Sequence, residues 1–158
     1  MAKKITKLFE PLKIRNVVLK NRIAKTSQWF IYPETDGFIG ERIKKFYETI
    51  AKGGVGLVIV EESVCEYPQG ASNIPHIRLD DDKFIPGLKE LAASIHKYDV
   101  PAFVQITHAG PAHYPFDGQQ PMAPSSIDPP SEPSLAVARE MTRDEILRVI
   151  ESYSQAAL

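Results

Sequence analysis

The spacing of apolar positions changes several times along this chain, and each change marks an element. Residues 8–23 carry short apolar runs (Leu8-Phe9, Leu12, Ile14, Val17-Val18-Leu19) on either side of Arg15-Asn16. Asn favours turns and β-branched residues favour extended backbone. The segment predicts a hairpin, followed by a further short strand over Arg22–Thr26. From about Gly40 to Lys52, Ile43, Phe46, Tyr47, Ile50 and Ala51 recur at helical spacing, with Lys44, Lys45, Glu48 and Lys52 on the outer face. Gly53-Gly54 ends that helix, as glycine does beyond a C-terminus. Val55-Gly-Leu-Val-Ile-Val60 then reads as a strand buried on both faces. It stops at Glu61-Glu62-Ser63, whose adjacent carboxylates suit a solvated loop, with a functional site as the alternative.

Residues 64–81 read as a loop carrying Pro68-Gln-Gly70. Asp80-Asp81-Asp82 suggests a metal at first sight, but consecutive carboxylates diverge and suit the positive end of a helix instead. Phe84, Ile85, Leu88, Leu91, Ala92, Ile95 and Tyr98 then form an amphipathic stripe, with His96 exposed near its C-terminal end. Pro101-Ala-Phe-Val-Gln-Ile-Thr-His108-Ala-Gly110 reads as a short buried strand. Gln105 interrupts its apolar body, and an unpaired buried amide costs about 1–3 kcal/mol. Either Gln105 bonds to neighbouring backbone and His108 caps the strand, or both point at a ligand at the strand's carboxyl end. Residues 109–141 hold seven of the thirteen prolines and show no periodicity, and so long a structureless loop is uncommon without a function. Thr142 and Glu145 then form a capping-box signature. Ile146, Val149, Ile150 and Tyr153 are the expected buried face of a helix reaching Leu158.

The order is a hairpin and then strand, loop and helix three times. Alternating strands and helices imply a parallel sheet with right-handed crossovers. Three such strands leave two unpaired edges, so the expectation is the first part of something larger. A complete flavodoxin-type domain does not fit, because no phosphate-binding loop follows the first strand.

Composition narrows the picture. The chain has 158 residues, 43% hydrophobic and 25% charged, as in an ordinary globular protein. Its 19 basic and 20 acidic residues give a net charge of −1, with no electrostatic footprint for nucleic acid. No apolar run approaches the roughly 20 residues of a membrane span. The N-terminus lacks the apolar core of a secretion signal. Cys65 is the single cysteine, so no internal disulfide is possible, and a cytoplasmic location fits. Trp29, Phe30 and Tyr32 crowd one loop, where they either cover a core edge or line a pocket over a flat ligand. His76 is expected to be solvated, Cys65 to be a bystander thiol, and His113 and Tyr114 to be structural more readily than substrate-facing.

Seven segments in one order carry a resemblance: Leu8-Phe-Glu-Pro-Leu-Lys-Ile14, Leu19-Lys-Asn-Arg-Ile23, Asp36-Gly37, Ala51-Lys-Gly-Gly-Val-Gly-Leu-Val-Ile-Val-Glu61, Pro68-Gln-Gly70, Gln105-Ile-Thr-His-Ala-Gly110 and Ala123-Pro-Ser125. Over residues 8–158 the chain resembles the N-terminal part of the Old Yellow Enzyme family of NADH:flavin oxidoreductases, nearest to members similar to 2,4-dienoyl-CoA reductase. The resemblance implies a (β/α)8 TIM barrel, of which residues 1–158 would supply the N-terminal hairpin and the first three β/α units. It implies FMN at the C-terminal ends of the strands, NADH or NADPH as reductant, and an enone or enoyl thioester as substrate. Thr26 and Ser27 match the small residue and proline whose backbone lies against the flavin, Gln28 is a further cofactor-binding candidate beside them, and Trp29 matches a flavin-tuning position. Glu62 matches a small residue beside the ring. Gln105 matches the glutamine that bonds the ring's pyrimidine edge, where a carboxamide offers both donor and acceptor. His108 and Tyr32 are the substrate-side candidates. The catalytic groups are expected beyond Leu158. Ser27 stands where proline is usual, Trp29 for Cys or Thr, Glu62 for Ala or Gly, and Pro111 for Arg. These departures motivate a second expectation, a non-catalytic scaffold or assembly module of the same fold. A homo-oligomer is expected in either case.

Overall fold

The computed structural model of the chain describes residues 6–29, 36–72, 75–128 and 136–158. Leu12–Ile14 (β1) and Val17–Leu19 (β2) form the expected antiparallel hairpin, with Leu12 opposite Leu19. Arg15 takes the left-handed conformation in the turn, at φ 50°. The hairpin leads into Ala24–Lys25 (β3), shorter than the strand its sequence predicts.

Helix α1 spans Glu41–Lys52, between Gly40 and Gly53, as its periodicity requires. It turns Ile43, Tyr47 and Ala51 inward. Leu57–Val64 (β4) follows, then the short Ile77–Arg78 (β5). The Asp81 carboxylate accepts from the Lys83 N–H and starts a turn that runs into α2, Ile85–His96. The consecutive aspartates thus act as a helix start, and His96 is exposed as expected. Ala102–Thr107 (β6) is the next strand.

β3 and β6 flank β4, and all pair in parallel. Ala24 lies opposite Leu57, and Val58 to Val64 run beside Ala102 to Thr107. β5 pairs with the last two residues of β4. The main core packs α1 and α2 against this sheet through Ile43, Tyr47, Val58, Val60, Leu91 and Ile95. Each such fully buried side chain contributes about 1.5–3 kcal/mol. The hairpin sits where the strands begin. There the Asn21 carboxamide donates to Gly54 O at 2.8 Å and Lys20 donates to Tyr98 O at 2.7 Å. A Cβ on Gly56 would stand 2.2 Å from Asn21 O, so only glycine permits this approach.

Four expectations change. β4 does not stop at Val60: it continues through Glu61 and Glu62 to Val64, so these carboxylates lie in strand and not in a solvated loop. β6 is not a buried strand; Phe103 and Val104 are 38% and 42% exposed. Among the described residues no strand pairs with its far edge, so the burial its composition calls for is not reached. Helix α3, Arg143–Ala156, has its full capping box at Thr142 and Glu145, yet none of its residues is buried. Its intended inner face stays open, with Ile150 57% exposed. Finally, the proline-rich segment is not structureless. Met122–Ala123 (β7) pairs in parallel with Arg139–Glu140 (β8), and Ile127 bridges Ala138. Two-residue ladders leave no period to read in a sequence.

Candidate functional site

The site begins with an irregularity in β4. Val60 pairs with Val104 and the next pair is Glu62 with Gln105, so Glu61 stands without a partner as a β-bulge. Val60 belongs to the core beneath the helices. In an unbroken strand Glu62 would share that face, because side chains alternate with a period of two. The bulge instead puts Glu62 on the face of Gln105. Re-aiming a side chain is a common use of bulges.

Glu61 itself is fully buried on the helix side, 0% exposed. The Tyr47 hydroxyl donates to its Oε2 at 3.1 Å and accepts from its backbone N–H at 2.8 Å. Lys25 lies over the Tyr47 ring, 5.9 Å from the centroid. Burial lowers the Lys25 pKa, and the Glu61 charge opposes that. Burial, with Glu61 beside it, raises that of Tyr47. Sequence reasoning missed this buried Lys-Tyr-Glu cluster. Its one signal was a pair of carboxylates that broke the apolar run.

On the opposite face, at the carboxyl ends of β3, β4 and β6, the residues implied by the resemblance converge. The Ser27 hydroxyl, just beyond β3, donates to Gln105 Oε1 at 2.5 Å. Thr26 and Gln28 beside it are exposed, and Glu62 is half-buried. A hollow of about 370 Å³ opens here, lined by Trp29, Glu62, Ser72, Thr107, His108 and Ala109 among others. Tyr32 and Phe30 fall outside the described residues.

Trp29 is held from behind. Its indole N–H donates to Pro75 O at 3.2 Å, and its ring stacks on His76 at 5.4 Å and 13°. His76 is not solvated but 3% exposed, with Nε2 3.1 Å from the Ser72 hydroxyl. Burial lowers its pKa, against the hydrogen bond that the ring donates to the Glu62 backbone. Stacking on a ring far away in sequence is what buries it, and no local pattern records that.

His108 closes the hollow. Nδ1 accepts from the Gly110 N–H at 3.1 Å, and Nε2 lies 3.3 Å from Glu66 Oε2. Arg148 of α3 holds the other Glu66 oxygen at 2.9 Å. The His108 ring first, then Arg148, keeps the Glu66 carboxyl below its usual range. Gly70 allows the loop after β4 to pass this ring, since a Cβ there would stand 3.0 Å from His108 Cδ2 and 2.4 Å from Glu66 O.

The remaining candidates are structural. His113 is fully buried, with Nδ1 2.7 Å from Ala71 O and Nε2 3.0 Å from Asp117. Tyr114 is exposed at 43%. The Cys65 thiol donates to Thr107 O at 3.2 Å, and burial pushes its pKa up to about 11. That is the bystander its sequence suggested. Among the described residues no group of His, Cys, Asp or Glu can hold a metal ion. No described helix is long and apolar enough to cross a membrane.

Known proteins share this fold. Residues 7–158 match the family described as NADH:flavin oxidoreductase / NADH oxidase. An NADH oxidase from Thermoanaerobacter brockii is 38% identical over 153 residues, which cover 96% of this chain and 23% of that protein. A solved complex of 2-naphthoyl-CoA reductase with 2-naphthoyl-CoA superposes with a TM-score of 0.89 at 25% identity, over 96% of this chain and 25% of that one. An Old Yellow Enzyme homologue from Zymomonas mobilis gives a TM-score of 0.86 at 24% identity, over 96% of this chain and 44% of that one, and speaks to fold alone. The chain therefore spans between a quarter and a half of these structures. Its β3-α1, β4-α2 and β6-α3 units form part of a (β/α)8 barrel.

Proposed function

Because the chain belongs to the NADH:flavin oxidoreductase / NADH oxidase family, we propose that residues 1–158 are the N-terminal part of an FMN-binding barrel domain in an oxidoreductase. One observation supports this most directly. Ser27 and Gln105 bond to each other at the carboxyl ends of β3 and β6, and Glu62, paired with Gln105 near the end of β4, lines the hollow there; barrels of this kind place their sites at these strand ends.

The residues present fit a flavin edge. The Ser27 hydroxyl occupies one lone pair of Gln105 Oε1. Both Nε2 hydrogens and the second lone pair stay available to a heterocycle that alternates donors and acceptors. Thr26 and Gln28, exposed on either side of the half-buried Ser27, offer a ledge for a flat ring, and Trp29 and His108 wall the hollow. Bound there, FMN would supply the hydride relay from NADH or NADPH to the β-carbon of an enone or enoyl thioester. The chain's own part is to bind and orient the ring and to keep water from one side of it. The Glu62 carboxylate in the same hollow opposes a build-up of negative charge on its contents, so it disfavours reduction.

The test is the protein expressed from its full open reading frame. A yellow product, or a colourless one that takes up added FMN with quenching of the flavin fluorescence, is expected. A folded full-length protein that takes up no FMN refutes the reading.

A further inference from the structure

We infer that His76 is a positioning residue: it sets the plane of the Trp29 indole at the wall of the hollow. The inference rests on the reading of this hollow as the flavin site, where that plane decides how a flat ring lies.

His76 does not line the hollow, yet three residues that do, Trp29, Glu62 and Ser72, meet on its imidazole. The Trp29 ring stacks on it, the Ser72 hydroxyl stands 3.1 Å from its Nε2, and the Glu62 backbone accepts a bond from it. The imidazole is buried and directly precedes Ile77, which pairs with Ser63 in the sheet and lies in the core. The sheet therefore fixes the place of His76.

Trp29 takes its place from His76 in turn. β3 ends at Lys25, so its ladder stops short of the indole. Pro75 and His76 grip the ring instead. The indole N–H donates to Pro75 O, which fixes one edge, and the imidazole covers one face at 13°, which fixes the plane. Near-parallel rings with centroids 5.4 Å apart suit an offset stack. A phenyl ring would offer the same face to the indole but could bond neither Ser72 nor the Glu62 backbone.

The stack also carries a signature that simple core filling lacks. Burial, the largest influence on the imidazole, disfavours its charged form. Acid turns the indole's partner from a neutral ring into a cation, and does so below the ordinary 6.5 of histidine. An imidazolium against an indole quenches its emission more strongly than a neutral imidazole does. Glu62 of β4 and His108 beyond β6 are the other titratable side chains lining or behind the hollow among the described residues, with Glu66 next to His108. A step in emission belongs to His76 only where His76→Phe removes it.

The test uses the full-length protein, freed of flavin, with the emission of Trp29 isolated by subtracting that of Trp29→Phe. A quenching step with its midpoint below 6.5 is expected in the unaltered protein and none in His76→Phe. FMN affinity, read by quenching of the flavin fluorescence, should weaken by about fivefold in His76→Ala, the equivalent of one ring stack, and return toward the original value in His76→Phe. Emission that ignores pH, a step that persists in His76→Phe, or equal FMN affinity with and without the imidazole overturns the inference. Where His76→Ala does not fold, the acid step alone decides. A protein that shows the step but takes up no FMN supports the placement of Trp29 and refutes the flavin reading.

Discussion

Replacing Tyr47 with phenylalanine removes one oxygen and takes a hydrogen-bond partner from two buried groups. The hydroxyl donates to Glu61 Oε2 at 3.1 Å and accepts from the Glu61 N–H at 2.8 Å, and both residues are fully buried. Water cannot take its place without opening the α1–β4 packing. A hydrogen bond to a charged group contributes about 1.5–3 kcal/mol and a neutral one about 0.5–1.5. Tyr47→Phe should therefore cost about 2–4.5 kcal/mol. With a urea m-value of about 2 kcal/mol/M, the unfolding midpoint falls by about 1–2 M. The partner variants sharpen this. Glu61→Leu alone takes the carboxylate away from the Tyr47 hydroxyl and from Lys25. The pair Tyr47→Phe with Glu61→Leu removes donor and acceptor together, and should cost less than the sum of the single changes. Because Glu61 is the bulge residue, Tyr47→Phe should also weaken whatever binds at Glu62 and Gln105, although Tyr47 does not line the hollow. A loss below about 0.5 kcal/mol, with additive double-variant energies, would refute the idea that this pair fixes the bulge.

Gln105→Leu should weaken FMN binding by about 5- to 100-fold, the equivalent of one or two lost hydrogen bonds, as read by flavin fluorescence quenching. Ser27→Ala should have a smaller effect in the same direction. Cys65, with its thiol raised to about 11 by burial, should react with iodoacetamide at neutral pH at least about tenfold more slowly than free glutathione. Glu145 is held down to about 2 from its ordinary 4.5, first by the Arg139 fork and then by the Thr142 N–H. A depressed carboxyl stabilises the fold above its unfolded pKa, and that contribution disappears as pH falls from 4.5 toward 2. Amide exchange at the start of α3 should accelerate across that window, and Glu145→Gln should flatten the response.

The elements most legible in the sequence were those whose causes are local. The stripe and glycine stop of α1, the Asp81 start before α2 and the Thr142–Glu145 box of α3 each lie within a few residues of what they determine. The end of β4 was not legible, because what holds Glu61 in the strand is Tyr47, 14 positions earlier on a helix. The burial of His76 depends on Trp29 from another loop. The exposure of Phe103 and Ile150 depends on what packs against the far side of β6 and α3, which no window of this sequence reports. Gln105 was legible as an anomaly, a carboxamide in an apolar run. The structure pairs that carboxamide with Ser27 at the carboxyl end of the sheet. Its use by a flavin is the family's contribution to the argument.

The bulge also makes chain length, more than side-chain identity, the lever on this site. A strand counts in twos, and Glu61 adds an odd residue to the count. Deleting that residue would leave each downstream side chain chemically intact but reverse its parity. Glu62 would turn toward the helices and its neighbour Ser63 toward the hollow. One codon thus exchanges the inner and outer faces of the last stretch of β4, and relatives that differ there by a single insertion would present different chemistry from the same letters.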